Sequence, residues 1–355
     1  MKLSIRSIAL QRLASLLILA VCLTLAMLAL AAHAADAPPA DASPDQTAAR
    51  TRALARAHGA VVGVEATAIE DAGSIATLGR ERHGSGVVIG SDGLVLTIGY
   101  LIVEADHVDL QFGDEHVVPA RVVGYDLATG FGLLQALAPL PAEPVPFGNS
   151  AAVPANEPLL VVSGGDDAAL SLSRLVSQRP FSGYWEYHID GALFTAPPRP
   201  GHSGAALFNA DGELLGIGSL LVGDALGNGA PPLAGNMFVP IDLLKPILAE
   251  MRERGASRSS SRAWLGVNCV EYEGQIRIVR LSAASPAEQA GLEPGDRIVA
   301  IDGVPVNDLE SFYRTLWQRS PERDVSLDIQ RGGVAQSVHL QSLDRIKTLR
   351  RPRGV

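Results

Sequence analysis

Short apolar runs separated by Gly, Asp or Pro set the rhythm of this chain. Residues 60–67, 86–89, 94–97, 107–112 and 121–124 are rich in Val, Ile and Leu, and turn residues lie between most of them. Residues 131–136, 159–163, 193–196, 205–208 and 214–221 continue the pattern. Runs this short, at regular spacing, predict a mainly β domain of the barrel or sandwich type. Two stretches break the rhythm with helical spacing. Residues 46–58 follow Asp45 as an N-cap. Residues 242–254 repeat apolar side chains at Leu243, Leu244, Ile247, Leu248 and Met251. The segment 256–262 is small and polar and reads as a linker. A second unit then runs over 263–345, with strands expected near Leu265 and over 276–279, 297–301 and 325–330, and a helix over 309–319.

The ends of the chain read differently. Lys2, Arg6 and Arg12 precede an apolar stretch from Leu13 to Ala32, and Ala32-His33-Ala34 offers small residues for cleavage. Residues 1–34 are therefore expected to be an export signal, followed by a leader over 35–57. The alternative is an uncleaved inner-membrane anchor, because the apolar run is just long enough to span a bilayer. Membrane contact is expected only in that case. Cleavage moves the net charge from −9 to −12, with no basic patch across a domain, which argues against nucleic acid as a partner. It also leaves Cys269 as the one cysteine, a small apolar strand residue with no partner for an internal disulfide. A basic tail over 346–355 reads as a solvated terminus. The body, 58–255 plus 263–345, is long enough for two cores. No metal or cofactor constellation is visible, and none is expected.

The candidate chemistry lies in Gly201-His-Ser203-Gly-Ala-Ala-Leu207, followed by the turn Asn209-Ala-Asp-Gly-Glu. Glycines let the chain turn tightly around a serine, so that the N–H groups of Gly201 and Ser203 can converge as an oxyanion hole. This block resembles the nucleophile loop of trypsin-fold proteases of the HtrA/Deg family, G-N-S-G-G-A-L. Two upstream blocks resemble the same family. Gly84-Ser-Gly-Val-Val-Ile and Asp92-Gly-Leu-Val-Leu-Thr-Ile-Gly-Tyr100 follow G-S-G-x-x-I and D-G-x-I-L-T-N-x-H. Ala120-Arg-Val-Val-Gly-Tyr-Asp126-Leu-Ala-Thr-Gly130 follows A-x-V-V-G-x-D-x-x-x-D. The resemblance implies a trypsin-like double β-barrel, with Tyr100 at the histidine position and Gly130 at the aspartate position of the triad.

That pairing decides the expected chemistry. A serine hydroxyl is a poor nucleophile until a neighbouring base takes its proton. A phenol with an ordinary pKa near 10 stays protonated at neutral pH, and glycine has no side chain to orient a base. Loss of the serine or histidine from such a triad costs roughly a millionfold in turnover. The stand-in bases to weigh are His107, His202, His83, His116 and His188, none at motif spacing.

The second unit carries Trp264-Leu265-Gly266-Val267 and Ser285-Pro-Ala-Glu-Gln-Ala-Gly-Leu-Glu-Pro-Gly-Asp-Arg-Ile. Both are similar to PDZ signatures, which implies an α+β PDZ domain that takes a peptide C-terminus by strand addition. By that resemblance Trp264, Leu265, Gly266 and Val267 form the carboxylate loop, and Phe312, Leu316 and Tyr313 either shape the groove or fill the core. The partners so implied are unfolded or C-terminal peptide segments, with an active protease as a further partner. The two functional expectations are an exported, periplasmic pseudoprotease and, alternatively, an active periplasmic serine endopeptidase with a non-standard base. The aromatics through which HtrA-like proteins commonly form trimers have no counterpart in 35–80, which contains no Phe, Tyr or Trp.

Overall fold

A computed structural model describes residues 44–113 and 116–350. The expected signal, the first part of the leader (35–43) and the end of the basic tail lie outside the described residues. Helix α1 (Pro44–Gly59) opens the described chain. The described residues from Arg52 onward form one compact unit.

Six strands close the first barrel: β1 (Val61–Ala68), β2 (Glu81–Val88), β3 (Leu94–Ile98), β4 (Ala105–Phe112), β5 (His116–Tyr125) and β6 (Phe131–Ala136), in the order β1-β2-β3-β6-β5-β4. Alternation explains the inner wall. In β1 the side chains of Val62, Val64, Ala66 and Ala68 are buried, while Glu65 and Thr67 between them are not. A one-turn helix, α2 (Gly99–Ile102), leaves β3 and carries Tyr100.

The second barrel repeats the design with β7 (Pro158–Ser163), β8 (Ala169–Gly183), β9 (Tyr187–Ala196), β10 (Ala206–Phe208), β11 (Leu214–Val222) and β12 (Gly235–Pro240), closed as β10-β11-β12-β9-β8-β7. Phe131, Phe194, Phe208 and Phe238 are completely buried; truncating any one to Ala would cost about 3–5 kcal/mol.

The 15-residue strand β8 was not expected from the sequence. Its Ser, Arg and Gln residues mask the alternation, and Pro180 falls at a register shift between Arg179 and Phe181. The helix expected over 242–254 is shorter. Ile241–Leu243 is a 3-10 turn, and α3 covers only Leu248–Arg254. Pro246 lacks the N–H that a continuous helix needs.

The expected linker is packed rather than loose. Asp126 accepts hydrogen bonds from the N–H and Oγ of Ser257 (3.1 and 2.5 Å), from Ser260 Oγ (2.5 Å) and from the N–H and Oγ1 of Thr129 (2.8 and 2.7 Å). Burial pushes this carboxyl up, but the donors from Ser257, Ser260 and Thr129 outweigh burial and hold it below the ordinary range.

The last domain has a sheet of β14 (Val267–Tyr272), β15 (Gln275–Leu281), β16 (Arg297–Ile301), β18 (Asp324–Arg331) and β19 (Val334–Gln341), with β17 (Val304–Pro305) beside β16. β13 (Ala263–Trp264) pairs with β20 (Leu343–Asp344). Strand β14 is at the edge of the sheet. Two helices pack here: α4 (Pro286–Gln289), capped by Ser285, and α5 (Leu309–Trp317). Asp308 caps α5 by accepting from the N–H of Ser311 at 2.6 Å. The tail's first part is not a free solvated end. Lys347 pairs with Glu322 at 3.0 Å, the N–H of Arg350 bonds Glu104, and the Arg350 guanidinium meets Asp71.

Candidate functional sites in two clefts

The first cleft lies where the barrels meet. Its frame is the turn around Ser203, locked onto β2 by the N–H of Ser85 donating to the Ser203 carbonyl at 2.8 Å. Gly204 shows why the turn needs glycine. Its φ is +76°, and a Cβ there would stand 1.9 Å from the Ser85 carbonyl oxygen. Among the described residues, the N–H groups of Gly201 and Ser203 have no acceptor. Uncommitted donors of this kind are what an oxyanion hole requires.

The side chains around that frame are a different matter. Tyr100 Oη lies 2.8 Å from Ser203 Oγ and 2.9 Å from the Ser219 carbonyl oxygen. A carbonyl only accepts. When the phenol donates to Ser219, the contact with Ser203 is left for the serine hydroxyl to donate. Burial pushes the Tyr100 phenol up to about 12, outweighing the opposite pull of its contact with Ser203. Tyr100 is thus a fixed, neutral neighbour of Ser203.

Gly130 sits at φ +86°, a conformation that side chains seldom adopt. A Cβ there would come 3.0 Å from Tyr187 Oη, which donates to the Thr129 carbonyl at 2.6 Å. The phenol of Tyr187 thus crowds the space into which a side chain at position 130 would grow.

No histidine hydrogen-bonds Ser203 among the described residues. His202 gives Nδ1–H to the Pro200 carbonyl at 2.8 Å. His107, exposed on β4, pairs with Asp109 at 2.9 Å, and His83 faces Glu65 at 3.6 Å. His116 sits edge-on to Phe112. His188 is buried with Nδ1 at 2.8 Å from Ser182 Oγ.

His188 also belongs to the only His/Cys/Asp/Glu cluster among the described residues with metal-ligand spacing, with Asp190 and Glu310. Arg314 already takes the same oxygens of both carboxylates, at 2.5 Å from Asp190 and 2.8 Å from Glu310. Its two carboxylates are thus held by Arg314 in an ion-pair network between β9 and α5, while the buried Nε2 of His188 makes no hydrogen bond.

The second cleft lies between β14, α5 and the loop 264–267. The loop N–H groups of Leu265 and Gly266 point at one carboxylate, that of Glu186 in the β8–β9 hairpin, at 2.8 and 3.1 Å. Sequence reasoning missed Glu186 because it lies 79 residues from Leu265, in a hairpin with no motif. It also missed Arg345. That guanidinium stacks 4.6 Å over the Trp264 ring and acts electrostatically on Glu186. Burial pushes the Glu186 carboxyl up; the Leu265 N–H, Arg345 and the Gly266 N–H pull it back, leaving it at about 7.

Phe312 and Leu316 are completely buried within the core of this last domain, alongside Leu265 and Val267. From α5, Tyr313 also meets the hairpin: its Oη donates to the Gly183 carbonyl at 2.8 Å and accepts from the N–H of Glu186 at 3.2 Å.

A double barrel with a serine turn, followed by a small domain with an edge strand and a carboxylate loop, is a trypsin-like peptidase fold joined to a PDZ fold. Comparison with known families agrees: a trypsin-like peptidase domain matches residues 84–217 and a PDZ domain residues 263–341. The chain thus carries a trypsin-like peptidase domain and a PDZ domain, an arrangement similar to that of DegP-like proteases.

Among its relatives, a probable periplasmic serine endoprotease DegP-like of Halomonas elongata is 28% identical over 289 residues, covering 73% of this chain and 56% of that protein. The corresponding Hahella chejuensis protein is 25% identical, covering 74% of this chain and 57% of that protein. The putative serine protease HhoA of Synechocystis is 27% identical, covering 74% of this chain and 72% of that protein. The chain therefore spans a little over half the length of the first two relatives. Its fold matches the HtrA-type protease AlgW with decapeptide at TM-score 0.52 and 19% identity, over 85% of this chain and 99% of that one. It matches a serine endoprotease from Yersinia pestis at TM-score 0.52 and 21% identity, over 86% of this chain and all of that one.

Proposed function

We propose that this protein is an exported HtrA-like pseudoprotease that binds unfolded or C-terminal peptide segments through its PDZ domain and does not hydrolyse them. It would act as a scaffold, a chaperone-like holder or a regulator of an active protease in envelope protein quality control. The observation that carries this reading is the contact between Ser203 Oγ and the neutral phenol of Tyr100 at 2.8 Å, opposite a glycine at position 130. A base must be deprotonated to accept the serine proton, and a phenol at about 12 is not.

Periplasmic residence is supported by the names of the DegP-like relatives and by the signal-like N-terminus. No helix among the described residues is long and apolar enough to cross a membrane. Peptide binding is supported by the PDZ match and by relatives of the same fold solved with a decapeptide and a tripeptide.

A second reading, an active endopeptidase with a non-standard base, draws on the uncommitted N–H groups at Gly201 and Ser203 and on relatives named as proteases. The two part in one assay: digestion of an unfolded protein by the parent and by Ser203→Ala. Equal, background rates support the pseudoprotease. Cleavage by the parent that vanishes in the variant establishes the second reading.

A further inference from the structure

The hairpin that fills the PDZ cleft does so in the register of a ligand. Cys269 on the free edge of β14 donates its N–H to the Tyr184 carbonyl at 2.8 Å, the contact that an added strand makes. Two residues later, the carboxylate of Glu186 reaches the loop. One oxygen accepts from Leu265 and the other from Gly266. The main chain at Glu186 has φ +56°, rare for a residue with a side chain. That bend carries the backbone away toward Tyr187, while the side chain continues the line into the loop. Arg345 supplies a nearby cation, and Tyr313 holds both ends of the segment. Beside it, Arg314 of α5 bonds Asp190 of β9.

We infer that residues Gly183–Tyr187 are an internal ligand of the PDZ domain, with the Glu186 side chain seated where a partner's terminal carboxylate would bind. This rests on reading the cleft as a C-terminal peptide site. The external partner it admits is a protein chain with a free C-terminal carboxylate, which must displace Glu186 from the same two N–H groups. An amidated or buried terminus cannot make that exchange. Occupancy by the hairpin lowers the apparent affinity of any peptide by the fraction of molecules whose cleft is open.

The test uses the full mature chain and a fluorescent peptide of apolar sequence, once with a free C-terminus and once amidated. Binding is followed by anisotropy in the parent, Glu186→Ala, Glu186→Gln and Arg345→Gln. The expected result is at least tenfold tighter binding of the free acid to Glu186→Ala than to the parent. Glu186→Gln should fall between them, Arg345→Gln should bind more weakly than the parent, and the amide should bind none of them well. Equal affinity of the parent and Glu186→Ala for the free acid overturns the internal ligand. If no protein binds either peptide, the peptide-site reading fails, and amide exchange then decides the internal contact separately. Faster exchange at Leu265, Gly266 and Cys269 in Glu186→Ala sustains the contact, and unchanged exchange overturns it.

Discussion

The two clefts keep their backbone frames and differ in what fills them. Around Ser203 the turn is intact and its N–H groups are uncommitted, but a buried phenol stands beside the hydroxyl and a glycine stands at position 130. Around Leu265 and Gly266 the recognition groups are intact as well, and there the chain's own Glu186 engages them. On the proposed reading, the first cleft lacks the side chains of a proton relay. The second has kept its chemistry and is occupied. Main-chain donors are set by turn geometry and survive side-chain replacement, whereas a proton relay consists of side chains alone.

The largest expected effect concerns Asp126, which lies four residues before Gly130 in the same block. If it is a structural anchor, Asp126→Ala strands five donors and lowers stability by about 3 kcal/mol or more in urea denaturation. Its folded pKa is depressed, so its contribution is present above the unfolded value near 3.9 and is lost as pH falls through the folded one. A variant of unchanged stability would break the contrast, because Asp126 would then be free for another role.

The next effect belongs to the occupied cleft. Glu186 titrates at about 7 when docked, against an ordinary 4.5. The docked form therefore holds its proton over that interval, and burying the carboxylate costs progressively more as pH rises from 4.5 to 7. Facing Glu186 are Arg345, Cys269 of β14 and Tyr313 of α5. Burial pushes the Cys269 thiol and the Tyr313 phenol up, so Arg345 is the charged one at these pH values. Thermal melts should show the parent losing up to about 3 kcal/mol relative to Glu186→Gln across this window, at about 1.4 kcal/mol per unit. A flat difference would place the carboxyl in water.

Smaller effects separate the two phenols. Tyr313→Phe removes both of its contacts with the hairpin and should cost about 1–2 kcal/mol while tightening peptide binding. Tyr100→Phe should cost a similar amount and leave peptide binding unchanged. The smallest expected change comes from Tyr100→His combined with Gly130→Asp. With φ +86° and Tyr187 Oη crowding position 130, the pair should still release no fragments from an unfolded protein on gels. Robust cleavage would mean that the cleft needs only its lost side chains.

Sequence reading reached the barrels through alternation, as in β1, and reached the serine turn and carboxylate loop through glycine-bearing motifs. It missed β8, where exposed Leu170 and Leu172 and buried Ser173 invert the usual period and Pro180 interrupts it. It extended a helix through Pro246 and read 256–262 as loose, because nothing local says that Ser257 and Ser260 are donors to Asp126. The same limit hid Glu186. A hairpin tip has no motif, and its meaning comes from a loop 79 residues away. Arg345 was counted at the edge of a tail whose first turn in fact packs against Trp264 and the Glu186 carboxylate.

The most direct test of the central claim is the nucleophilicity of Ser203. The purified protein would be treated with a fluorophosphonate, with and without a saturating free-acid peptide, and its intact mass compared with that of Ser203→Ala. The expected result is no adduct in either protein, even with peptide bound. A phosphonyl adduct on the parent that is absent from Ser203→Ala would mean that Ser203 is activated, and would contradict the pseudoprotease.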